Sequence, residues 1–254
     1  MQRLIEISTK APNALDKKET KEETLKLIAE LDELQNLLYA ERKSSVLIIL
    51  QGMDASGKDG IIKKVFGQLN PQGVQVKSFK KPSEEELAHD FLWRLHKHAP
   101  EKGMIQIFNR SQYEDVLITR VHGWCDDVTA MKRFDAINAF EELLTLHNNT
   151  IIFKFYLHIS PEEQQDRLNE RMEDPTKHWK YNANDFKEAE LRDKYMQMYE
   201  DVFEHCSAVP WHIVPVDQNW YKEYIIAKTV TETLRDLGMK YPGLNKEDSK
   251  TFIK

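Results

Sequence analysis

The feature that constrains this chain most is a short apolar run that feeds a glycine-rich turn. "SVLIIL" reads as a β-strand buried on both faces, and it runs into Gly52, Gly57 and Lys58, the frame of a G-x-x-x-x-G-K phosphate-binding loop. "GIIKKVFGQL" then carries helical spacing. Strand, loop and helix in that order point to a parallel α/β sheet, in which the loop amides of Gly52, Ala55, Ser56 and Gly57 and the ammonium of Lys58 converge on an anion. The pattern departs from the rule at one position. Where Ser or Thr usually helps to hold magnesium stands Asp59, and a second carboxylate, Asp54, lies inside the loop. Beside phosphates both would repel unless a divalent cation intervened, which makes Asp54 the candidate metal ligand and magnesium, or manganese in its place, the expected ion. Asp54 is also placed to orient an attacking phosphate. Asp59 has a plainer reading as negative charge at a helix start.

Four further strand-like runs follow: "VQVKSF" near residues 75–80, "GMIQIFNRS", "TIIFKFYLHIS" and "WHIVPVD". Helical stretches alternate with them. Residues 20–42 read as a helix opened by the capping signature Thr20-x-x-Glu23, with Leu27, Leu31, Leu34 and Leu38 turned toward the main domain or a sister chain. "SEEELAHDFLWRLHKHA" reads as one amphipathic helix, and residues 129–147, 183–206 and 221–237 as others. Ser160-Pro161-Glu162-Glu163 combines a capping box with proline at the first helical position. Alternation of this kind predicts right-handed βαβ units and a single α/β domain over 1–254, three layers deep, with a parallel five-stranded sheet covered on both faces. Only the end, "GLNKEDSKTFIK", reads as a loose tail.

Composition narrows the ligand. With 41% apolar and 31% charged residues, the 254-residue chain can build one sizeable core. Its formal net charge of −6 speaks against a general nucleic-acid or anionic-membrane binder. A polyanionic ligand therefore needs local basic clusters, and "KSFKK" (Lys77, Lys80, Lys81) and "RLNERMEDPTKHWK" (Arg167, Arg171, Lys177, Lys180) supply them. The apolar runs are too short to cross a bilayer and the N-terminus lacks the apolar core of a secretion signal, so a cytoplasmic setting is expected. Cys125 and Cys206 are read as reduced thiols, and the nine histidines form no ligand spacing.

In parallel sheets ligands lie beyond the carboxyl ends of the strands, which gathers residues 52–59, residues 109–115 and the region after His158 into one crevice. At the end of the third strand stands Asn109, not the acidic residue that many phosphate-transfer enzymes use for metal. Either Asp54 holds the ion alone or Glu114 compensates. Arg110 can clamp a phosphoryl group, or serve in a buried ion pair; Arg120 is open to the same two readings. Arg167 and Arg171, four apart, share a helix face, although Glu163 and Arg167 could simply pair on the surface. Lys177 and Lys180 flank Trp179 in the loop that follows. Together, residues of about 161–182 read as a closing lid that excludes water.

With these residues in place, the sequence resembles the polyphosphate kinase 2 family over about residues 20–238. The resemblance rests on G-x-D-A-x-G-K at Gly52 to Lys58, "FLWRLH" at 91–96, "FNRSQYEDVLITRVHGW" at 108–124, "RMEDPTKHWK" at 171–180 and "VPWHIVP" at 209–215. In that family Gly or Asp follows the loop lysine, which accounts for Asp59. The resemblance implies a thymidylate-kinase-like P-loop fold with a helical lid. It also implies transfer of phosphate between inorganic polyphosphate and AMP, ADP and ATP; a homo-oligomer, dimer or tetramer, is expected from the leucine-bearing helix at 20–42. The family's functional residues carry over to Asp54, Lys58 and Arg110, with lid arginines at Arg167 or Arg171 and basic contacts at Lys177 and Lys180. Many members have Asp at the position of Asn109. The Asn-Arg-Ser-x-Tyr-Glu-Asp version looks like the class III subgroup, which phosphorylates both AMP and ADP, and makes Glu114 the candidate for tuning the acceptor, with the acceptor near Glu114 and Arg120.

Overall fold

The computed structural model describes residues 3–243. Five strands, β1 (Ser45–Gln51), β2 (Val74–Ser78), β3 (Ile105–Asn109), β4 (Thr150–His158) and β5 (Trp211–Pro215), form one parallel sheet in the order β2-β3-β1-β4-β5. β1 is buried along its whole length because it is central and covered on both sides. Its Val46, Ile48 and Leu50 pack with α1 (Lys17–Glu41), α2 (Lys58–Ile61, continued by a π-turn over Ile62–Phe66) and α10 (Asn219–Asp236). Its Leu47 and Ile49 face the other way, toward α6 (Asp127–Asn148) and α9 (Arg192–His205). The three-layer P-loop kinase architecture is thus present.

The order of strands leaves β1 between β3 and β4, so the loops after β1, β3 and β4 open at one edge. That edge holds the crevice that the strand rule predicts. β4 is followed by α7 (Pro161–Glu173), a 3₁₀ turn over Pro175–Lys180, and α8 (Ala183–Glu190). α7 and the 3₁₀ turn occupy the span of about 161–182 expected for the lid, and α8 lies just beyond it. No helix among the described residues is long and apolar enough to cross a membrane, and Cys125 and Cys206 are free and buried.

Several boundaries differ from the sequence reading, each for a local reason. α1 begins at Lys17 because Asp16, not Thr20, caps it, accepting from the amides of Lys18 (2.8 Å) and Glu19 (2.9 Å). Thr20 is buried inside the helix and donates to the Asp16 carbonyl. Leu27, Leu31 and Leu38 are buried within this chain, in the cluster that contains α10, so the leucine row is not left for a sister chain. The stretch from Ser83 to Ala99 is not one helix but two single turns, α3 (Glu84–Leu87) and α4 (Trp93–His96). Ser83 and Glu86 form a complete capping box for the first, and Asp90 restarts the chain by accepting from Leu92 and Trp93. Ser160 caps α7 as expected, but Glu163 turns to Arg167 and does not close the box. Residues 183–206 break into α8 and α9 at Leu191. α5 (Ile118–Val121) is one turn. The tail expected at 243–254 lies, beyond Gly243, outside the described residues.

Candidate active site

The loop after β1 is shaped by two glycines. Gly52 has φ 149° and its missing Cβ would stand 2.9 Å from the Leu157 carbonyl of β4, while Gly57 takes φ 94°. Ala55, inside the loop, and Arg110, the first residue after β3, take left-handed φ of 62° without being glycine. Such backbone costs on the order of 1–3 kcal/mol per residue and is held only where surrounding structure over-determines it. For Arg110 the Leu50 carbonyl supplies part of that hold by accepting from its amide at 3.0 Å.

Lys58 is folded inward. Its ammonium donates to the carbonyls of Gly52 (2.6 Å) and Met53 (3.1 Å) and to the Ser56 hydroxyl (3.4 Å). Burial, reinforced by Arg110 and opposed by Asp54, Glu114 and Asp59, brings it down to about 8. Arg110 donates to Asp54 at 2.6 Å. Burial works against the guanidinium, but Glu114 and Asp54 outweigh it and raise its pKa. Burial lifts the Glu114 carboxyl above the usual range, against the pull of Arg110 and Lys58. Asn109 donates to Asp59 at 2.8 Å, and Lys180 reaches the other oxygen of Asp59 at 3.3 Å. Burial would raise Asp59, yet these two bonds and Lys58 leave it below the ordinary carboxylate value.

Two cavities meet at the Asp54–Arg110 pair. The smaller, about 460 Å³, is walled by the loop from Asp54 to Gly60, by Asn109, and by Arg171, Trp179 and Lys180 of the lid. The larger, about 790 Å³, is bounded by Glu114, Leu117, Trp124, Arg94, Arg133 and Glu188 of α8. Asp54, Lys80, Arg110, Asn182 and Asp185 line both. Arg94 and Arg133 line the larger cavity, Arg171 and Lys180 the smaller, and Lys80 and Arg110 both, an arrangement that can hold two phosphorylated molecules with their phosphates facing.

The structure brings Gly52, Asp54, Ala55, Gly57, Lys58, Asp59, Asn109, Arg110, Glu114, Arg171 and Lys180 to these walls. Ser56 lies beneath the loop, fully buried. Three expected residues go elsewhere. Arg120 pairs with Asp127 and Asp201, each at 2.8 Å, and lines neither cavity, because its one-turn helix points it toward α9. Lys177 pairs with Glu170 and Asp174 along the outside of the lid. Arg167 does pair with Glu163 at 2.7 Å, but its other nitrogens donate to the loop carbonyls of Ala55 and Ser56, both at 3.2 Å, and to Val216 at 2.6 Å. It braces the loop from behind instead of closing over a ligand. Arg171 pairs with Asp185 at 2.5 Å, tying α7 to α8.

Other contributors carry no sequence signal, because their partners are distant in the chain. Gln164 donates to the Asp54 carbonyl at 3.1 Å and accepts from Arg192 at 2.8 Å. Below the crevice, Lys154 of β4 is fully buried and donates to Glu141 (2.8 Å), Tyr113 (3.0 Å) and the Cys206 carbonyl (2.9 Å). Tyr113 donates to Glu141 at 2.5 Å, so this network anchors the turn that presents Arg110 and Glu114.

Whether these residues suit magnesium can be judged from the donor set. No group of three or more His, Cys, Asp and Glu among the described residues could hold a metal ion unaided. Asp54 and Asp59 offer oxygen only, and Lys180, Asn109 and Arg110 already engage them. This fits a hard divalent ion that keeps some of its waters and completes its shell with substrate phosphates, and does not fit a resident metal cage.

The chain matches the family described as Polyphosphate kinase 2 over residues 14–241. An AMP/ADP-polyphosphate phosphotransferase of Meiothermus ruber is 44% identical over 225 residues, which cover 88% of this chain and 84% of that protein. An ADP-polyphosphate phosphotransferase of Rhodopseudomonas palustris is 42% identical over 249 residues, covering 92% of this chain and 86% of that protein. The crystal structure of polyphosphate kinase 2 from Arthrobacter aurescens superposes with a TM-score of 0.93 at 40% identity, covering 99% of this chain and 92% of that one.

Proposed function

The chain belongs to the polyphosphate kinase 2 family, and on that premise we propose that it transfers phosphoryl groups reversibly from inorganic polyphosphate to AMP and ADP, giving ADP and ATP. The observation that carries this reading is the meeting of two cation-lined cavities, about 460 and 790 Å³, at one Asp54–Arg110 pair. The smaller cavity, walled by the loop, takes the donor chain. The larger, with apolar side chains for a base and Arg94 and Arg133 for phosphates, takes the nucleotide.

The chemistry asks little of the protein beyond placement and charge. A nucleotide phosphate is already ionised at neutral pH, its second pKa being about 6, so no general base is needed. Lys58, drawn out of the loop, and Arg110, drawn from Asp54, stabilise the transferring group; Lys180 and the lid exclude water. Asp54 orients the attacking phosphate. Asp54 and Asp59 would hold magnesium, which neutralises charge between the facing phosphates. Glu114, partly buried beside Arg110 and Lys58, tunes the choice of acceptor. The same reading sets the reaction in the cytoplasm.

The test is an assay without ATP: the protein, magnesium, long-chain polyphosphate, and AMP, ADP, GMP or GDP separately. ADP from AMP and ATP from ADP are expected. If neither forms while the same nucleotides are phosphorylated by ATP, the protein is an ordinary nucleotide kinase and the proposal fails.

A further inference from the structure

Of the four buried cationic side chains among the described residues, Lys58, Arg94, Lys154 and Lys222, three have evident partners. Lys58 donates to loop carbonyls, Arg94 to the Lys80 carbonyl with Asp115 at 3.5 Å, and Lys154 to Glu141. Lys222, near the start of α10, is 2% exposed, and its ammonium makes no hydrogen bond or ion pair among the described residues. A buried charge without a partner is costly and is normally removed or compensated. Here burial and the neighbouring Arg167 hold Lys222 down at about 8, against weaker support from Glu223 and Glu163.

Its position indicates what would compensate it. A Cβ on Gly57 would lie 2.2 Å from the Lys222 ammonium, and one on Gly60 3.9 Å from it. Both glycines line the smaller cavity, so at these points only backbone separates the ammonium from that space. Among the other cations lining the cavity, Arg110 has Asp54, Arg171 has Asp185, Lys180 has Asp59, and Lys58 is held by the carbonyls of Gly52 and Met53. A condensed phosphate chain brings a charge with every unit, and the flexible lysine stem can present its ammonium past the glycines.

We propose that Lys222 binds the phosphate chain of the donor, reaching it past Gly57 and Gly60. The inference rests on the reading of the smaller cavity as the donor site. Lys222 neutralises a phosphate of the chain other than the one transferred, and the loop motif gives no hint of it because the residue lies more than 160 positions downstream.

The test compares Lys222→Met and Lys222→Arg with the parent chain. The Met variant should raise the KM for polyphosphate roughly tenfold or more, the scale of one lost charge-assisted hydrogen bond. Its KM for AMP should stay unchanged and its Tm should equal or exceed that of the parent; the Arg variant should recover polyphosphate affinity. An unchanged polyphosphate KM in the Met variant overturns the proposal, and so does a lower Tm, which would assign the ammonium to the fold. If the parent chain takes no phosphate from polyphosphate, it is the functional reading that fails. Calorimetric binding of tripolyphosphate then decides for Lys222 alone: weaker binding by the Met variant supports the inference, and equal binding overturns it.

Discussion

Asp54 and Arg110 show what a single residue can and cannot disclose. The spacing of Gly52, Gly57 and Lys58 makes the loop legible, because a left-handed glycine and a lysine at fixed intervals have few other uses. That Asp54 holds Arg110 was not legible, since the two lie 56 positions apart and meet only when β1 and β3 pair. The same limit explains Arg120 and Arg167, whose acceptors sit on α9 and on the loop backbone. Asp54→Asn keeps the shape of the side chain and removes its charge. Turnover with polyphosphate and AMP should fall by about 10²-fold or more, the scale of a lost electrostatic stabiliser, with Tm close to that of the parent; a fully active variant would remove Asp54 from the mechanism.

At the scale of elements, strands and long helices were legible because hydrophobic period and length agree, as in "TIIFKFYLHIS" and the helix at 127–148. The segment from Ser83 to Ala99 was not, because its helical period survives across Asp90, whose carboxylate accepts from the amides of Leu92 and Trp93 and breaks the run between the two turns. Caps also set the lid. Ser160 accepts from the Glu163 amide at 3.1 Å at the root of α7. Ser160→Ala should lower stability by about 1 kcal/mol, seen as a shift of the urea midpoint, while leaving the KM for AMP within twofold. A larger kinetic effect would mean that the lid's root also positions substrate.

Among the described residues two apolar layers flank the sheet, and a buried ionic network crosses one of them. Lys154 on β4, Glu141 on α6 and Tyr113 after β3 fasten the core under the crevice to the turn that carries Arg110. Lys154→Met would leave Glu141 buried without its cation and should cost about 3–5 kcal/mol, measurable by denaturant unfolding; Lys154→Met with Glu141→Leu should regain much of it. The pH response of the whole chain has a definite sign at Lys222. Its folded value of about 8 lies below the ~10.4 of an unfolded lysine, so below pH 8 the folded state carries the full cost of the charge. Between those values the unfolded chain binds the extra proton, and the cost fades as pH rises. The Tm advantage of Lys222→Met over the parent should therefore be greatest at or below neutral pH and should vanish near pH 10.5.

The clasp between Asp54 and Arg110 is common to both cavities. On the proposed function, a polymer that pulls the guanidinium toward itself bares the Asp54 carboxylate, which repels a phosphate entering from the opposite side unless a divalent cation comes with it. Each occupant therefore prepares the berth of the other only when magnesium takes up the freed carboxylate, and thermodynamic reciprocity requires the two gains to be equal. Calorimetry with a non-reacting acceptor analogue and magnesium should find that either molecule tightens its counterpart several-fold, that the gain is lost when magnesium is chelated, and that Arg110→Ala abolishes this synergy.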